Sequence, residues 1–320
     1  MAGLLERLGV ELPVVQAGMG GGISGSRLAG AVSEAGGLGT IGLLPPKLLR
    51  QEIAATRWLT DRPVAVNLLL PFARSAHFEA ASEADVVVTF WGMPKRRTAK
   101  PWIHQCGSVE EALAAHAAGA DAVIAQGVEA GGHVRGTVPA LELLARVRAA
   151  LPAAYPVLSA GGVTDRSDVV ARLESGADAV VSGTRFLLSD ESGGHPEYKA
   201  RLLDAHETVL TELFGAGWPA PHRVVRNAAT DRWLWGDSRG PGWVRAANRL
   251  TAPLLSRVPP GAQARAAKAQ RPGLPLLGPT PPTVWGPSNL LDAGPLYAGE
   301  CISRIAEIRS AAEIVRQMTP

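Results

Sequence analysis

The chain has 320 residues, of which 46% are hydrophobic and 19% charged, with a formal net charge of +3. That length suits one α/β barrel carrying an insertion, and the apolar share is ample for a large core. So small a charge does not by itself suggest nucleic-acid binding, two cysteines do not make a disulfide framework, and no apolar run is long enough to span a bilayer. The opening Met1-Ala-Gly-Leu-Leu-Glu-Arg-Leu8 has early charges and no apolar run of the signal-peptide kind, so a reducing, cytoplasmic setting is expected.

Leu12–Ala17 reads as a first strand, and the glycines of Gly18-Met-Gly-Gly-Gly22 turn it into a helix over Ser24–Ala35. Leu28, Ala31, Val32 and Ala35 recur there at helical spacing, and Gly36-Gly37 stops the helix. The second strand is Leu38–Gly42, followed by a helix that Pro45-Pro46 opens and that runs to Trp58. Pro63–Leu68 is the third strand, a short helix covers 77–82, and Asp85–Phe90 is the fourth strand. Pro101–Cys106 is the fifth, and Ser108-Val-Glu-Glu111 is a capping-box pattern opening a helix to Ala118. Asp121–Ala125, Tyr155–Ala160 and Asp178–Ser182 complete the strands, with helices over 139–150 and 165–175 between them.

Two stretches repeat one another, Gly119-Ala-Asp-Ala-Val123 and Gly176-Ala-Asp-Ala-Val180, each a glycine stop between a helix and a strand. Strands alternating with helices in this way predict an α/β fold, a closed (β/α)8 TIM barrel, with an open doubly wound sheet as runner-up. One unit is defective. Residues 91–101 are too short and proline-flanked for a crossover helix, so an irregular basic loop is expected there. After a helix over 196–213 the chain becomes rich in Pro, Gly, Trp and Arg. The expected organisation is a barrel over 1–214, a helical and irregular inserted region over 215–295 covering one mouth, and a helix over 299–318 that returns to the barrel. Between Asp237 and Asp292 no acid occurs, whereas Arg239, Arg245, Arg249, Arg257, Arg265, Lys268 and Arg271 all do.

Gly161-Gly162 after the seventh strand and Gly183-Thr184 after the eighth stand where barrels bind phosphate through backbone N–H groups. Gly20-x-Gly22-x-x-Gly25 matches a dinucleotide fingerprint, but the second strand ends without the acid that would hold a ribose. Asn67 ends strand three and Gln126 ends strand six, and amides offer both donor and acceptor to a flat polar ligand. After Gln126 come Gly131 and Gly132, whose main chain can lie against a flat ligand, and then His133, suited to proton abstraction or to binding an anion. Glu129 is either an orienting acid for His133 or a solvated loop residue. No histidines show metal-ligand spacing, and no metal is expected.

Gln16-Ala-Gly-Met-Gly20, Ala35-Gly-Gly-Leu-Gly39, Asn67, Gln126-Gly-Val-Glu-Ala-Gly-Gly-His133, Ala160-Gly-Gly162 and Gly183-Thr-Arg-Phe186 occur in that order. Together they resemble the nitronate monooxygenase family, formerly called 2-nitropropane dioxygenases, and the flavin-dependent enoyl-carrier-protein reductases share much of the pattern. The resemblance implies one non-covalent FMN at the carboxyl-terminal mouth of the barrel. It implies Gly18 and Met19 along the ring, Asn67 and Gln126 on its polar edge, and Gly161, Gly162, Gly183 and Thr184 at the phosphate. Gly131 is counted with these cofactor-binding residues, and His133 as the catalytic group facing a small-molecule substrate. The implied reaction is oxidation of an alkyl nitronate, or a nitroalkane, by O2 to a carbonyl compound and nitrite. Two alternatives stand beside it. One is an NAD(P)H-dependent flavin reductase acting on a quinone or an enoyl thioester, and the other a non-redox barrel binding a phosphorylated ligand. Neither nucleic acid nor membrane is expected as a partner.

Overall fold

The computed structural model describes residues 4–255, 258 and 260–320; Arg257 of the basic stretch and Met1–Gly3 of the amino-terminal segment lie outside the described residues. The chain forms two compact units. One takes Met1–Glu129, Arg135–Gly193 and Glu307–Pro320, and the other Ala130–Val134 and Gly194–Ala306.

In the first unit the strands are β1 Val14–Gln16, β2 Gly39–Ile41, β3 Val64–Leu69, β4 Val86–Phe90, β5 Trp102–Cys106, β6 Ala122–Gln126, β8 Val157–Ala160 and β9 Ala179–Ser182. The strand β7, Gly132–His133, belongs to the second unit. The eight pair in parallel in the order β1-β9-β8-β6-β5-β4-β3-β2. A parallel bridge between Val15 and Leu38 joins the two ends, with Leu38 N donating to Val14 O at 2.9 Å and Gln16 N to Leu38 O at 3.0 Å. The sheet therefore closes into the TIM barrel, and the doubly wound alternative is set aside.

Side chains alternate across each strand. Val15, Leu38, Ala65, Val88, Ile103, Ile124, Leu158 and Val181 face inward and form one buried cluster. Their neighbours face the helices: Val14 and Val180 pack with Leu28 and Val32 of the helix Ser26–Glu34 and with Ile314 and Val315 of Ala311–Met318. Each such aliphatic side chain contributes roughly 1.5–3 kcal/mol through burial. The two repeated stretches are one building block used twice. Gly119 (φ 84°) and Gly176 (φ 93°) end the helices Val109–Ala117 and Arg166–Glu174 in the left-handed region, where glycine adds no Cβ strain.

Among the described residues, 91–101 contain no helix, as expected. The link is tied down by charge instead: Arg96 binds Asp121 at 3.0 Å and the carbonyl of Gly119, and Arg97 lies 4.2 Å over the Phe78 ring. The outward polar groups of β4 and β5 satisfy one another. Trp102 Nε1 donates to Thr89 Oγ1 at 2.7 Å, and Thr89 Oγ1 meets His104 Nδ1 at 2.7 Å. Burial pushes the His104 pKa down to about 4.

The second unit is built on an antiparallel sheet of β10 Val209–Thr211, β11 His222–Val225 and β12 Leu296–Tyr297, with β7 on β11. Its core includes Leu213, Phe214, Val224, Ala229, Leu277 and Ala293. Two helices are shorter than expected. The helix from Pro196 ends at Leu203, because Thr208, Val209 and Thr211 are β-branched and favour the strand that follows. The carboxyl-terminal helix is not continuous over 299–318: Glu300–Arg304 is a 3₁₀ turn, and an α-helix starts only at Ala311. Ser310 caps it, its Oγ accepting from Glu313 N at 3.3 Å while Glu313 Oε2 accepts from Ser310 N at 3.0 Å. No helix among the described residues is long and apolar enough to cross a membrane.

Gly39 is the tightest point of the barrel wall, since a Cβ there would lie 1.9 Å from the carbonyl oxygen of Ala29. Gly39→Ala is expected to lose about 3 kcal/mol or more, read as a lower urea midpoint at unchanged slope.

Candidate functional site

The barrel sets its inward side chains around one axis, and several polar ones gather toward the carboxyl ends of the strands. Asn67 is not at the end of its strand: β3 runs on to Leu69, so Asn67 stands inside the wall on the inward face it shares with Ala65. Its Nδ2 donates to Gly18 O at 3.1 Å, while its Oδ1 is buried and has no hydrogen-bond partner among the described residues. Gly18 is needed for this approach, since a Cβ would fall 2.3 Å from Asn67 Cβ. Thr40, inward on β2 beside Gly18, also buries an unpartnered hydroxyl. Gln126 does end β6, and its Oε1 accepts from Arg135 N at 2.9 Å. The loop after β1 is held by Ser24, whose Oγ accepts from Met19 N at 2.7 Å and donates to Met19 O at 3.0 Å.

The last two strands, β8 and β9, are hydrogen-bonded neighbours. Gly161 (φ 116°) and Gly162 (φ 72°) follow β8 in the left-handed region. Arg172 Nη2 donates to Gly161 O at 3.0 Å. Gly183 follows β9 with an ordinary φ of −108°, and a Cβ there would meet only Ala17 Cβ, at 3.5 Å. Among the described residues nothing else comes within 4 Å of that Cβ, so the missing side chain leaves a hollow beside the turn. Thr184 opens the four-residue helix Thr184–Leu187. An inward acceptor without a donor and a hollow at a glycine turn fit a flat ring with an anionic tail.

The dinucleotide fingerprint has another explanation. Glu52 Oε2 accepts from Ser26 N at 2.6 Å and occupies the place a Gly25 Cβ would take, so a carboxylate already holds that helix start. Glu129 is likewise committed, accepting from Ala140 N at 3.0 Å and lying 3.5 Å from Arg172 Nη2.

Within the second unit, His133 is not on a free loop. Gly132–His133 pairs antiparallel with β11, with His133 opposite His222. Gly131 is packed so closely that a Cβ would lie 2.5 Å from Gly299 N. The His133 ring stacks on Trp218 at 3.6 Å and 18°, with His222 at 5.4 Å and Tyr297 at 5.5 Å. Burial, and then the neighbouring His222, hold the His133 pKa well below the usual imidazole range. His222 Nε2 accepts from Phe214 N at 3.2 Å and its Nδ1 meets Ala220 O at 2.9 Å, an arrangement for a neutral ring, and burial lowers its pKa to about 4. Trp218, His222 and Tyr297 escape the sequence reading. Their one signal is the Trp-rich composition after residue 214, because strand pairing across some 90 residues leaves no local pattern.

A model of the nitronate monooxygenase family matches residues 3–102 and 94–320. The chain belongs to the nitronate monooxygenase family. A probable nitronate monooxygenase of Bacillus subtilis is 32% identical, over 66% of this chain and 76% of its own length. A (3aS,4S,5R,7aS)-5-hydroxy-7a-methyl-1-oxo-octahydro-1H-indene-4-carboxyl-CoA dehydrogenase of Mycobacterium tuberculosis is 33% identical, over 76% of this chain and 71% of its own. Among solved structures, FabK from Thermotoga maritima aligns with a TM-score of 0.77 at 30% identity, covering 98% of this chain and 94% of that one. A nitroalkane oxidase from Streptomyces ansochromogenes gives 0.74 at 30% identity, covering 98% and 96%. This nitronate monooxygenase family member is an oxidoreductase of a flavin-dependent kind.

The pKa of His222 in the folded state lies below its unfolded value of about 6.5, so the neutral ring favours folding. That contribution is complete above pH 6.5 and shrinks as pH falls toward 4, by about 3 kcal/mol at most. Urea midpoints measured from pH 7.5 to 4 are expected to fall across this window. His222→Asn should be less stable at pH 7.5 and show a flatter profile.

Proposed function

We propose that this chain oxidises alkyl nitronates with O2 to a carbonyl compound and nitrite, using one non-covalent FMN held at the carboxyl end of the barrel. Bound FMN would supply the redox chemistry, taking electrons from the substrate and passing them to oxygen. The observation that carries the reading is the buried, unpartnered Oδ1 of Asn67 on the inward face of the barrel. Leaving such an acceptor dry and unbonded costs about 1–3 kcal/mol, and the imide N–H of a flavin ring is a donor suited to it. In this reading Asn67 and Gln126 hold the polar edge, Gly18 and Met19 lie along the ring, and Gly161, Gly162, Gly183 and Thr184 hold the phosphate.

His133 takes the role of base. A ring held neutral by burial is a proton acceptor at neutral pH and a poor anchor for an anion. Its plane is fixed by Trp218, and its backbone by pairing with β11. Its task would be to remove the α-proton of a neutral nitroalkane, a step that a preformed nitronate does not need.

A second reading, a reductase using NAD(P)H with a quinone or a CoA or carrier thioester, draws on the Mycobacterium tuberculosis relative's name and on the acid-free basic stretch. Part of that charge is already balanced. Arg239 and Arg249 lie 3.3 and 3.0 Å from the buried carboxylate of Glu212, and Arg245 lies 3.3 Å from Asp237. Nitronate oxidation is therefore preferred.

Anaerobic mixing of the yellow enzyme with propionate 3-nitronate is expected to change the flavin's visible band. No change with any nitronate, joined to rapid bleaching by NADPH, would transfer the assignment to the reductase. His133→Asn should lower kcat/KM for nitroethane about a hundredfold or more while leaving ethyl nitronate within a few-fold. Equal losses on both substrates would remove the base role.

A further inference from the structure

Among the described residues, Trp91 is the one non-glycine with a positive φ, 65°. It stands directly after β4 at the carboxyl end of the barrel and is followed by Gly92, also left-handed at 113°. A bulky residue in this region is strained, and such strain persists only where the surroundings hold it. Here the turn carries the indole to Arg135, whose guanidinium carbon lies 5.0 Å from the ring centroid, while Phe90 meets the same indole edge-on at 5.4 Å. The ring is half-buried, and the absence of a helix over 91–101 leaves this part of the rim to a loop.

Arg135 is fixed from three sides. Gln126 Oε1 accepts its backbone N–H, the indole covers one face, and Glu111 accepts from Nε and Nη2. Glu111 itself is diverted from the expected capping box: its other oxygen accepts from Gly107 N at 2.8 Å. Nη1 makes no hydrogen bond among the described residues, and the Arg135 side chain keeps 35% of its exposure. The guanidinium therefore presents its outer Nη1–Nη2 edge, a fork matched to two oxygens of a planar anion. Trp91 follows β4 and Gln126 ends β6, so Arg135, which touches both, lies at the carboxyl rim between those two strands.

We propose that Arg135, backed by Trp91, is a rim subsite for the planar oxyanion of the substrate, a nitronate or carboxylate group. It rests on the flavin-enzyme reading above and deepens it. Arg135 takes the anion, which the neutral His133 is unsuited to hold, and the strained indole keeps the guanidinium plane in place and limits what enters beside it.

The test is a titration of the flavin-loaded enzyme with nitrate, a planar oxyanion that is not turned over, followed by flavin absorbance. The wild type should show a saturable change, and Arg135→Lys, which keeps the charge but loses the fork, should raise the nitrate Kd about tenfold or more. Trp91→Gly and Trp91→Ala should both weaken nitrate, and the glycine variant should melt higher than the alanine variant because φ 65° suits glycine alone. No saturable response in the wild type, an Arg135→Lys Kd equal to wild type, or an alanine variant that outmelts the glycine one each overturns the subsite. Nitrate binding as described without any nitronate reaction leaves the subsite standing and removes the oxidation reading. Nitronate turnover with KM unchanged in Arg135→Lys removes the subsite alone.

Discussion

Closing eight parallel strands into a barrel forces every second side chain toward a common axis, and that space is filled with aliphatic groups except near one end. The bond between Leu38 and the β1 backbone completes the ring and with it the inward and outward sense of each strand. A polar side chain on the inward face cannot turn outward without shifting register, which would bury or expose the whole strand's alternate set. Asn67, Thr40 and Gln126 are held inward by this constraint. Asn67 and Thr40 each keep a buried oxygen without a partner among the described residues. The core thus supplies precision to the site: the apolar cluster of Val15, Ala65 and Ile124 fixes the strands on which the polar groups ride.

The second unit holds its histidines by a different route. Its antiparallel sheet recruits Gly132–His133 as a short edge strand, so the imidazole is set by backbone pairing and by stacking on Trp218 rather than by a free loop. Burial keeps both His133 and His222 neutral. A neutral imidazole can accept a proton but attracts an anion weakly, whereas a permanently charged guanidinium does the reverse.

Much of the barrel is legible in the sequence because its signals are local. Apolar runs of four to six residues, glycines such as Gly119 and Gly176, and capping residues such as Ser108 and Asp165 act within one turn of the chain. The β4–β5 link without a helix is legible for the same reason, from length and proline content. Failures arise where partners are distant. The β-branched residues at 209 and 211 form a strand only by pairing with β11, and the Gly-Gly-His segment looks like a loop until the same strand takes it. Asn67 is misplaced by two residues because strand ends depend on neighbours, here β4 continuing to Phe90. Glu111 reads as a helix cap, and only the fold brings Arg135 to it.

The hollow at Gly183 and the unpartnered oxygen of Asn67 together support the proposal of a flavin held by its tail as well as by its ring. Titrating the flavin-free protein with FMN and with riboflavin, followed by loss of flavin fluorescence, tests it most directly. One FMN per chain, much weaker riboflavin binding, and a Gly183→Val variant that loses the preference for FMN are expected. Equal affinity for the two flavins, or FMN binding unaffected by Gly183→Val, would contradict it.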